Sequence, residues 1–541
     1  MDEASEKHEA EQRTFFGAAK VTAALTVVSR VFGMLRAMAI MSLGANAITD
    51  AFAFAFKIPN LFRRLFAEGA LSAAFVPVFT ATAETDGFQR ASRLFANALG
   101  LLAVVLTVLM LLVQAGLLAW ALLSPAPADR QLLMTLTAIM LPFMVTVCLL
   151  ALGSAALQCR GHFAYPAAAP ILLNLFIIAA AWFVAPAWRG DTRGQLLVVS
   201  GSVAVAGVAQ LAGVLWLLRR MGFPIRPRLR PVVPGIRTML RLMAPMLLGL
   251  GFLQFAELLE TAAAWVLRAT DAAPTMTVFG QRLAKPLAAG VIMRLDAARY
   301  LYQFPLGVLA ISLGVAVFPL LSRYAARGDL ANLRDSLNRA LRLAFMEGLA
   351  AGVGLIVLAG PITRLLYQRR RFTPADAADA AFILQMYALG MWAYCSYQIF
   401  VRAFYAMKDT VTPLKISCPL AGVHLVAVVG LVWVDRLGAG AFGAATAGTF
   451  AVNTLILAVL LRRRVGPFGG RRLLVSIARS AAAAAAMAAA LIGLRCALTG
   501  RSDGLIVGLG VPAGAGVFIL AALLLKAPEL SELLQRARRR P

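Results

Sequence analysis

Residues 29–79 read SRVFGMLRAMAIMSLGANAITDAFAFAFKIPNLFRRLFAEGALSAAFVPVF. The stretch is apolar enough to sit in a membrane, yet it carries Arg30, Arg36, Asp50, Lys57, Arg63, Arg64 and Glu68. A charge at the centre of a bilayer costs about 2.5–3.5 kcal/mol on insertion scales. Several cations in such a stretch make physical sense when they face a wet cavity and an anion. The reading is therefore a membrane protein that handles a negatively charged substrate.

The spacing supports this. Lys57, Asn60, Arg64 and Glu68 recur at helical intervals and share one face, and Arg64 can pair with Glu68 one turn on. Pro59 perturbs the helix, which leaves open whether Arg63 or Arg64 points inward. Both could also snorkel from a helix end to the interface, but that does not explain Lys57, Asn60 and Glu68 on the same side. In the preceding span Arg30 and Arg36 are flanked by Val31, Phe32, Met34 and Leu35, with Gly33 available for close helix approach. Arginine suits an anion site because its planar fork grips phosphate bidentately and does not lose its proton.

The whole chain agrees with its opening. Of its 541 residues, 61% are hydrophobic, and the mean hydropathy is +0.80. A soluble protein is nearer half apolar. A spanning helix needs about 20 apolar residues, and about fourteen such segments can be read, centred near residues 30, 65, 108, 145, 176, 207, 250, 305, 350, 392, 423, 452, 484 and 515. Lipid offers no partner to open backbone groups, so helices are expected. The polar N-terminus lacks the pattern of a signal peptide, and the first span is expected to be retained.

Lys and Arg number 52 against 25 Asp and Glu, a net charge of +27. The cations are dispersed at segment ends, which points to membrane topology and not to nucleic acid. The expected arrangement has both termini cytoplasmic, with basic loops at Arg90/Arg93, Arg160, Arg219 to Arg241, Arg323 to Arg339, Lys408 and Arg462 to Arg472. One expected external loop disobeys: Gln368 to Thr373 (QRRRFT) holds three arginines. A contact with anionic headgroups and a tolerated violation both remain open. The stretch Met221 to Gly235 (MGFPIRPRLRPVVPG) is basic and Pro-rich, reads as a linker between halves, and carries arginines suited to anionic inner-leaflet lipid.

In the second half Glu257 and Glu260 stand one turn apart. They either neutralise a cation or form a cation or proton site. Arg294, Asp296 and Arg299 precede Tyr300 and Gln303, and Arg299 is the better cavity candidate of the group. Glu347 and Arg402 read as structural. Phe304–Pro305 and Phe318–Pro319 echo Ile58–Pro59 and Val76–Pro77, as expected where bent helices of two halves flank a site.

No enzyme constellation emerges. HExxH, GxSxG and P-loop patterns are absent from the sequence. The five cysteines (Cys148, Cys159, Cys395, Cys418, Cys496) and the three histidines have no metal spacing. No enzyme activity, metal or cofactor is expected.

These residues resemble the lipid II flippase family MurJ, also called MviN, of the multidrug/oligosaccharidyl-lipid/polysaccharide exporter superfamily. The likeness lies in SRVFGMLR (Ser29 to Arg36), TDAFAFAF (Thr49 to Phe56), KIPNLFRRLFAEGALSAAFVP (Lys57 to Pro77), GSAALQCRGHFAYPAAAPILLN (Gly153 to Asn174), YQFPLGVLAISLG (Tyr302 to Gly314) and RAFYAMKDTVTPLKI (Arg402 to Ile416). It runs over residues 17–465 and weakens beyond them.

The resemblance implies an all-α polytopic inner-membrane protein of about fourteen transmembrane helices. Two pseudo-symmetric six-helix lobes would surround a central cationic cavity. The implied divisions are a tail (1–16), an N-lobe (17–220), the basic linker (221–236), a C-lobe (237–465), two C-terminal helices (466–527) and a basic tail (528–541). The implied cargo is undecaprenyl-diphosphate-linked disaccharide-pentapeptide, moved by alternating access. Membrane lipids and cell-wall synthesis proteins are the implied partners. Arg30, Arg36 and Arg63 match the family's cavity arginines, with Asp50, Lys57, Asn60, Arg64 and Glu68 in support. Two positions depart from the family pattern. Ala37 stands where an acidic residue is usual. Tyr300 stands in register with a fourth cavity arginine, so Arg299 would fill that role only after a local shift. An insertion near 268–289 has no family counterpart. The rival readings are a flippase for another lipid-linked glycan, a drug/cation antiporter of the same superfamily, and a non-transporting scaffold of cell-wall synthesis.

Overall fold

The structure is a computed structural model. It describes the backbone of residues 2–123, 127–188, 190–230, 233–271, 273–278 and 280–530. Side chains at 2–20, 23, 67–70, 245, 248–250, 252, 253, 278 and 311 are outside the description. The expected roles of Glu68 and of both tails therefore fall largely or wholly on residues that are not described.

Contacts divide the chain into two compact units, Met1–Trp265 and Val266–Pro541. The first contains α1 (Asp2–Met41), α2 (Ala47–Phe62), α3 (Leu71–Asp86), α4 (Phe88–Leu123), α5 (Ala128–Met140), α6 (Pro142–Cys159), α7 (Ala164–Ala179), α8 (Thr192–Arg220) and nearly all of α9 (Gly235–Leu267). This unit takes in the Pro-rich stretch and extends past it. The reason is local: Asn97 of α4 donates to the Arg228 carbonyl (3.1 Å) and accepts from the Val233 N–H (3.2 Å). Phe223 is buried against Phe79, Phe88 and Phe95, with ring centroids 5.9, 5.1 and 5.4 Å away.

The start of α2 is fixed by a capping box. Asn46 accepts from the Ile48 and Thr49 N–H groups (2.9 and 3.0 Å), and Thr49 Oγ1 accepts from the Asn46 N–H (2.9 Å). Asp50 is fully buried in the first turn, where a carboxylate favours the helix dipole. Pro59 has no N–H to return to the preceding turn. Beyond it the helix widens into a π segment, Arg63–Ala70, before α3 resumes. Wide turns of this kind recur at functional sites.

The second unit opens on the 268–289 insertion, which forms a two-stranded antiparallel hairpin, β1 (Thr275–Val278) with β2 (Gln281–Ala284). It is a small addition to an otherwise helical chain. There follow α10 (Val291–Val308), α11 (Ala310–Ala326), α12 (Leu330–Tyr367), α13 (Pro374–Ala388), α14 (Met391–Ala406), α15 (Val411–Leu431), α16 (Gly440–Val465), α17 (Gly470–Ala497) and α18 (Asp503–Leu524). Leu341, Phe400, Phe404 and Leu457 centre one core of this unit, and Leu358, Met487 and Phe518 a second beneath α17 and α18.

The proline echo has a structural counterpart. Each unit holds a long span interrupted midway with prolines on both sides of the break, Ala47–Asp86 (Pro59 and Pro77) and Val291–Ala326 (Pro305 and Pro319); the first unit holds a further interrupted span, Ala128–Cys159, broken at Leu141.

Among the described residues, 12 helices are long and apolar enough to cross a membrane, so the expected fourteen is not established. The segment centred near 392 is split at Leu389–Gly390 into α13 and α14, of 15 and 16 residues. The segment centred near 250 lies in α9, which is 33 residues long but includes positions outside the description.

Close helix crossings depend on particular glycines. A Cβ on Gly348 of α12 would come within 2.7 Å of the Trp392 Cα and 2.9 Å of the Met391 carbonyl of α14. Backbone cannot swing aside as a side chain can. Gly348→Ala is therefore expected to lower stability by about 1–3 kcal/mol, the usual cost of overpacking, read as a reduced unfolding temperature in detergent. Gly33, by contrast, was expected to permit close approach. A Cβ there would meet only Asn174 Nδ2 at 3.9 Å, an ordinary contact, so the space does not demand glycine.

Candidate anion site of the first unit

The site is built from α2, its π extension and α9. Gln254, Glu257 and Thr261 recur on α9 with the same spacing as Lys57, Asn60 and Arg64 on the α2 side. Each set lies on one helical face. The Lys57 ammonium donates to Thr261 Oγ1 at 3.1 Å, and that hydroxyl donates back to the Glu257 carbonyl at 3.0 Å. The Arg64 guanidinium donates to Gln254 Oε1 at 3.3 Å and forms an ion pair with the Glu257 carboxylate. Lys57, Asn60, Leu61, Arg64, Gln254, Glu257 and Leu258 line a small open pocket.

The question left open at Pro59 has a geometric answer. Arg64 faces α9, whereas Arg63 folds back, its Nε donating to Asn60 Oδ1 at 2.7 Å. Arg64 and Glu257 keep 30% and 34% of their side-chain surface exposed. Water screens a pair so placed, and its contribution to stability is about 0.2–1 kcal/mol. Such a pair can be opened by a competing anion. Of the two readings for Glu257, the ion pair is the neutralisation of a first-unit cation. Glu260, one turn on, is buried.

Arg30 and Arg36 are both half-buried on α1. The Arg36 guanidinium lies over the Phe56 ring of α2, 5.7 Å from its centroid, which holds its plane by cation–π attraction. α1 is tied to α7 through Asn174 Nδ2 and the Ser29 carbonyl, 3.5 Å apart.

In the second unit Arg299 is 9% exposed. Its Nε donates to Tyr387 Oη at 3.1 Å and its charge faces Asp296 at 3.6 Å. Tyr387 stacks on Tyr302, with centroids 4.7 Å apart. Arg299 is thus built into the α10–α13 packing. Arg294 is also buried and serves as a tie. It pairs with Asp376 (3.4 Å) and Asp379 (3.0 Å) and donates to the Ala288 and Ala289 carbonyls (3.3 and 2.9 Å).

Sequence reading passed over Gln254, Thr261, Asp376 and Tyr387. For the first two a signal existed: the face they share with Glu257 repeats the spacing of the α2 face. Asp376 and Tyr387 belong to partners distant in sequence, and no local pattern marks them.

Comparison with known proteins identifies the family of the chain. The profile of the family described as lipid II flippase MurJ matches residues 39–502. A probable lipid II flippase MurJ of Rhizobium meliloti (strain 1021) is 32% identical over 478 residues, covering 86% of this chain and 84% of that protein. One of Rhizobium tropici is 33% identical over 407 residues, covering 74% and 72%. The lipid II flippase MurJ of Burkholderia cenocepacia is 30% identical over 460 residues, covering 83% and 84%. In structure, a lipid II flippase MurJ in an inward closed conformation superposes with a TM-score of 0.74 at 20% identity, covering 95% of this chain and 99% of that one. A multidrug resistance MATE family transporter, inward-facing, gives 0.64 at 13% identity, covering 84% and 99%. With a family profile spanning most of its length and relatives above the level at which family is assured, the chain belongs to the lipid II flippase MurJ family.

Proposed function

We propose that this protein carries undecaprenyl-diphosphate-linked disaccharide-pentapeptide from the inner to the outer leaflet of the cytoplasmic membrane, by alternating access, for cell-wall synthesis. Membership of the MurJ family carries the reading, and the cation-rich face of α2 supplies its chemistry. Arg30, Arg36 and Arg63 hold the diphosphate, as bidentate arginine–phosphate geometry favours. Lys57 and Arg64 add positive potential and are held by Thr261, Gln254 and Glu257 until the anion arrives. Arg299 is given a packing role, because it is buried and already paired with Asp296 and Tyr387.

No nucleotide is required to drive the step. One charge moved through 100 mV is worth about 2.3 kcal/mol, so a diphosphate of about two negative charges gains roughly 4–5 kcal/mol on leaving a negative interior. Both termini are assigned to the cytoplasm, which puts the basic loops on the side the positive-inside rule favours.

The test is survival of cells depleted of their own lipid II flippase. The wild-type chain is expected to rescue growth, and Arg30→Ala or Arg63→Ala to abolish rescue at equal membrane abundance. Rescue by both variants would overturn the diphosphate roles. Failure of the wild type to rescue would point to a different lipid-linked glycan.

A further inference from the structure

The Pro-rich stretch after α8 was expected to be a linker, and a linker is ordinarily a tether. Here its backbone is bound down. Besides the two bonds of Asn97, the Arg228 N–H donates to the Ala96 carbonyl at 3.0 Å. A Cβ on Gly100 would come within 2.6 Å of the Arg228 carbonyl oxygen. Glycine is therefore what lets the strap lie flat against α4, and Phe223 anchors its beginning.

Position gives the strap its meaning. It crosses α4 at Ala96–Gly100, beyond the charged turn of Arg90 and Arg93 and at the start of the apolar run Leu99–Leu112. An apolar run that begins there sets the strap at the boundary between the charged end of α4 and its membrane-spanning part, where hydropathy puts the headgroup region. From this fixed backbone Arg226, Arg228 and Arg230 are exposed, with Leu229 between them 54% exposed. A cluster of exposed cations at the end of a spanning helix is what anionic leaflet surfaces attract. At the same end of α4, Asp86 is paired with Arg90 at 3.3 Å, and Arg160 stands over the Phe88 ring at 4.8 Å from its centroid.

We propose that the strap of residues 223–230 is a preformed binding site for the phosphate headgroups of anionic phospholipids. Arg226, Arg228 and Arg230 are its ligands, and Leu229 dips into the acyl boundary. The positive-inside rule accounts for the sign of these residues but not for a bound backbone, which it does not need. Pinning removes the ordering cost that a free loop would meet on binding. The site is separate from the transported cargo, so it stands or falls independently of the function proposed above.

The experiment uses the full chain in phosphatidylcholine vesicles with spin-labelled phosphatidylglycerol, scoring the motionally restricted fraction. Arg226→Gln/Arg228→Gln/Arg230→Gln is expected to weaken retention of the label about a hundredfold, as the loss of three surface cations implies. Gly100→Val keeps every charge and only pushes the strap away from α4. It is expected to weaken retention about tenfold, and Asn97→Ala provides the same test should Gly100→Val misfold. Retention unchanged in the triple variant would overturn the proposal. So would retention lost in the triple variant but intact in both strap variants, since net charge alone would then suffice. Displacement of the label by millimolar inorganic diphosphate as readily as by unlabelled phosphatidylglycerol would identify a general anion patch and would also overturn it.

Discussion

Replacing Arg294 with alanine is expected to be the most damaging single change in the second unit, lowering stability by about 3–5 kcal/mol, the usual consequence of removing one partner of a buried ion pair. Arg294 and Asp376 keep only 9% and 10% of their side-chain surface. Two backbone carbonyls, those of Ala288 and Ala289, lose their donor at the same time. One feature softens the loss. Asp376 also accepts from the Thr373 N–H (3.0 Å) and Oγ1 (2.8 Å) in the capping box of α13, so its charge does not lose every partner. The expected cost therefore lies at the lower end of that range. Arg294→Lys keeps the charge but not the fork that reaches two carboxylates and two carbonyls, and is expected to recover less than half of the loss. Thermal unfolding of the purified protein in detergent measures both. Hydrogen exchange is expected to speed up first at 268–290, because Arg294 ties the end of the hairpin insertion to α13. A change within 1 kcal/mol of wild type for Arg294→Ala would sink this account.

Much of the first unit was legible in the sequence because its signals are local. The spacing of Lys57, Asn60 and Arg64 needs only the helical period, and the structure keeps these residues around one pocket. Pro59 announced an irregularity, and the chain answers with the π segment at Arg63–Ala70. What periodicity could not supply was the direction of each arginine, because a widened turn resets the angle between neighbours. Arg64 turns to α9 and Arg63 to Asn60 for that reason. Reading Glu257 with Glu260 as a pair also hid the better pattern, Gln254–Glu257–Thr261, whose members matter through what they meet on another helix.

The second unit was less legible, and the physical cause is sequence distance. Arg299 and Arg294 sit on one helix and carry the same charge, yet their roles follow from Tyr387, Asp296, Asp376 and Asp379, three of which lie on α13. Both arginines are buried and paired, and burial is a property of packing that no short motif reports. The insertion near 268–289 gave no strand signal strong enough to read, since β1 and β2 are four residues each. The restraint on the Pro-rich stretch was not legible for a similar reason: it comes from Asn97 and Gly100 on α4, not from its own prolines.

The Arg64–Glu257 pair gives the sharpest test of how the first unit manages its charge. A carboxylate on Arg64 lowers the positive potential that a diphosphate meets, and it must let go for Arg64 to engage the anion. Glu257→Gln removes the competing charge while leaving an amide of the same size for Arg64. Binding of farnesyl diphosphate, a short soluble probe of the headgroup charge, is expected to tighten about tenfold, equivalent to about 1.4 kcal/mol. Arg64→Ala is expected to weaken it about tenfold. The double variant decides between models. If Glu257 acts through Arg64, the gain from Glu257→Gln disappears in the Arg64→Ala background, and the two effects are not additive. If the carboxylate acts only through the overall potential, the gain persists. Stability separates a packing role from a charge role, because a pair one-third exposed is worth no more than about 1 kcal/mol. Glu257→Gln should therefore leave the unfolding temperature almost unmoved while the affinity shifts. An affinity that stays at the wild-type value in Glu257→Gln would show that the carboxylate does not hold Arg64 back from the anion, and the ion pair would then be a fastening between α2 and α9 and nothing more.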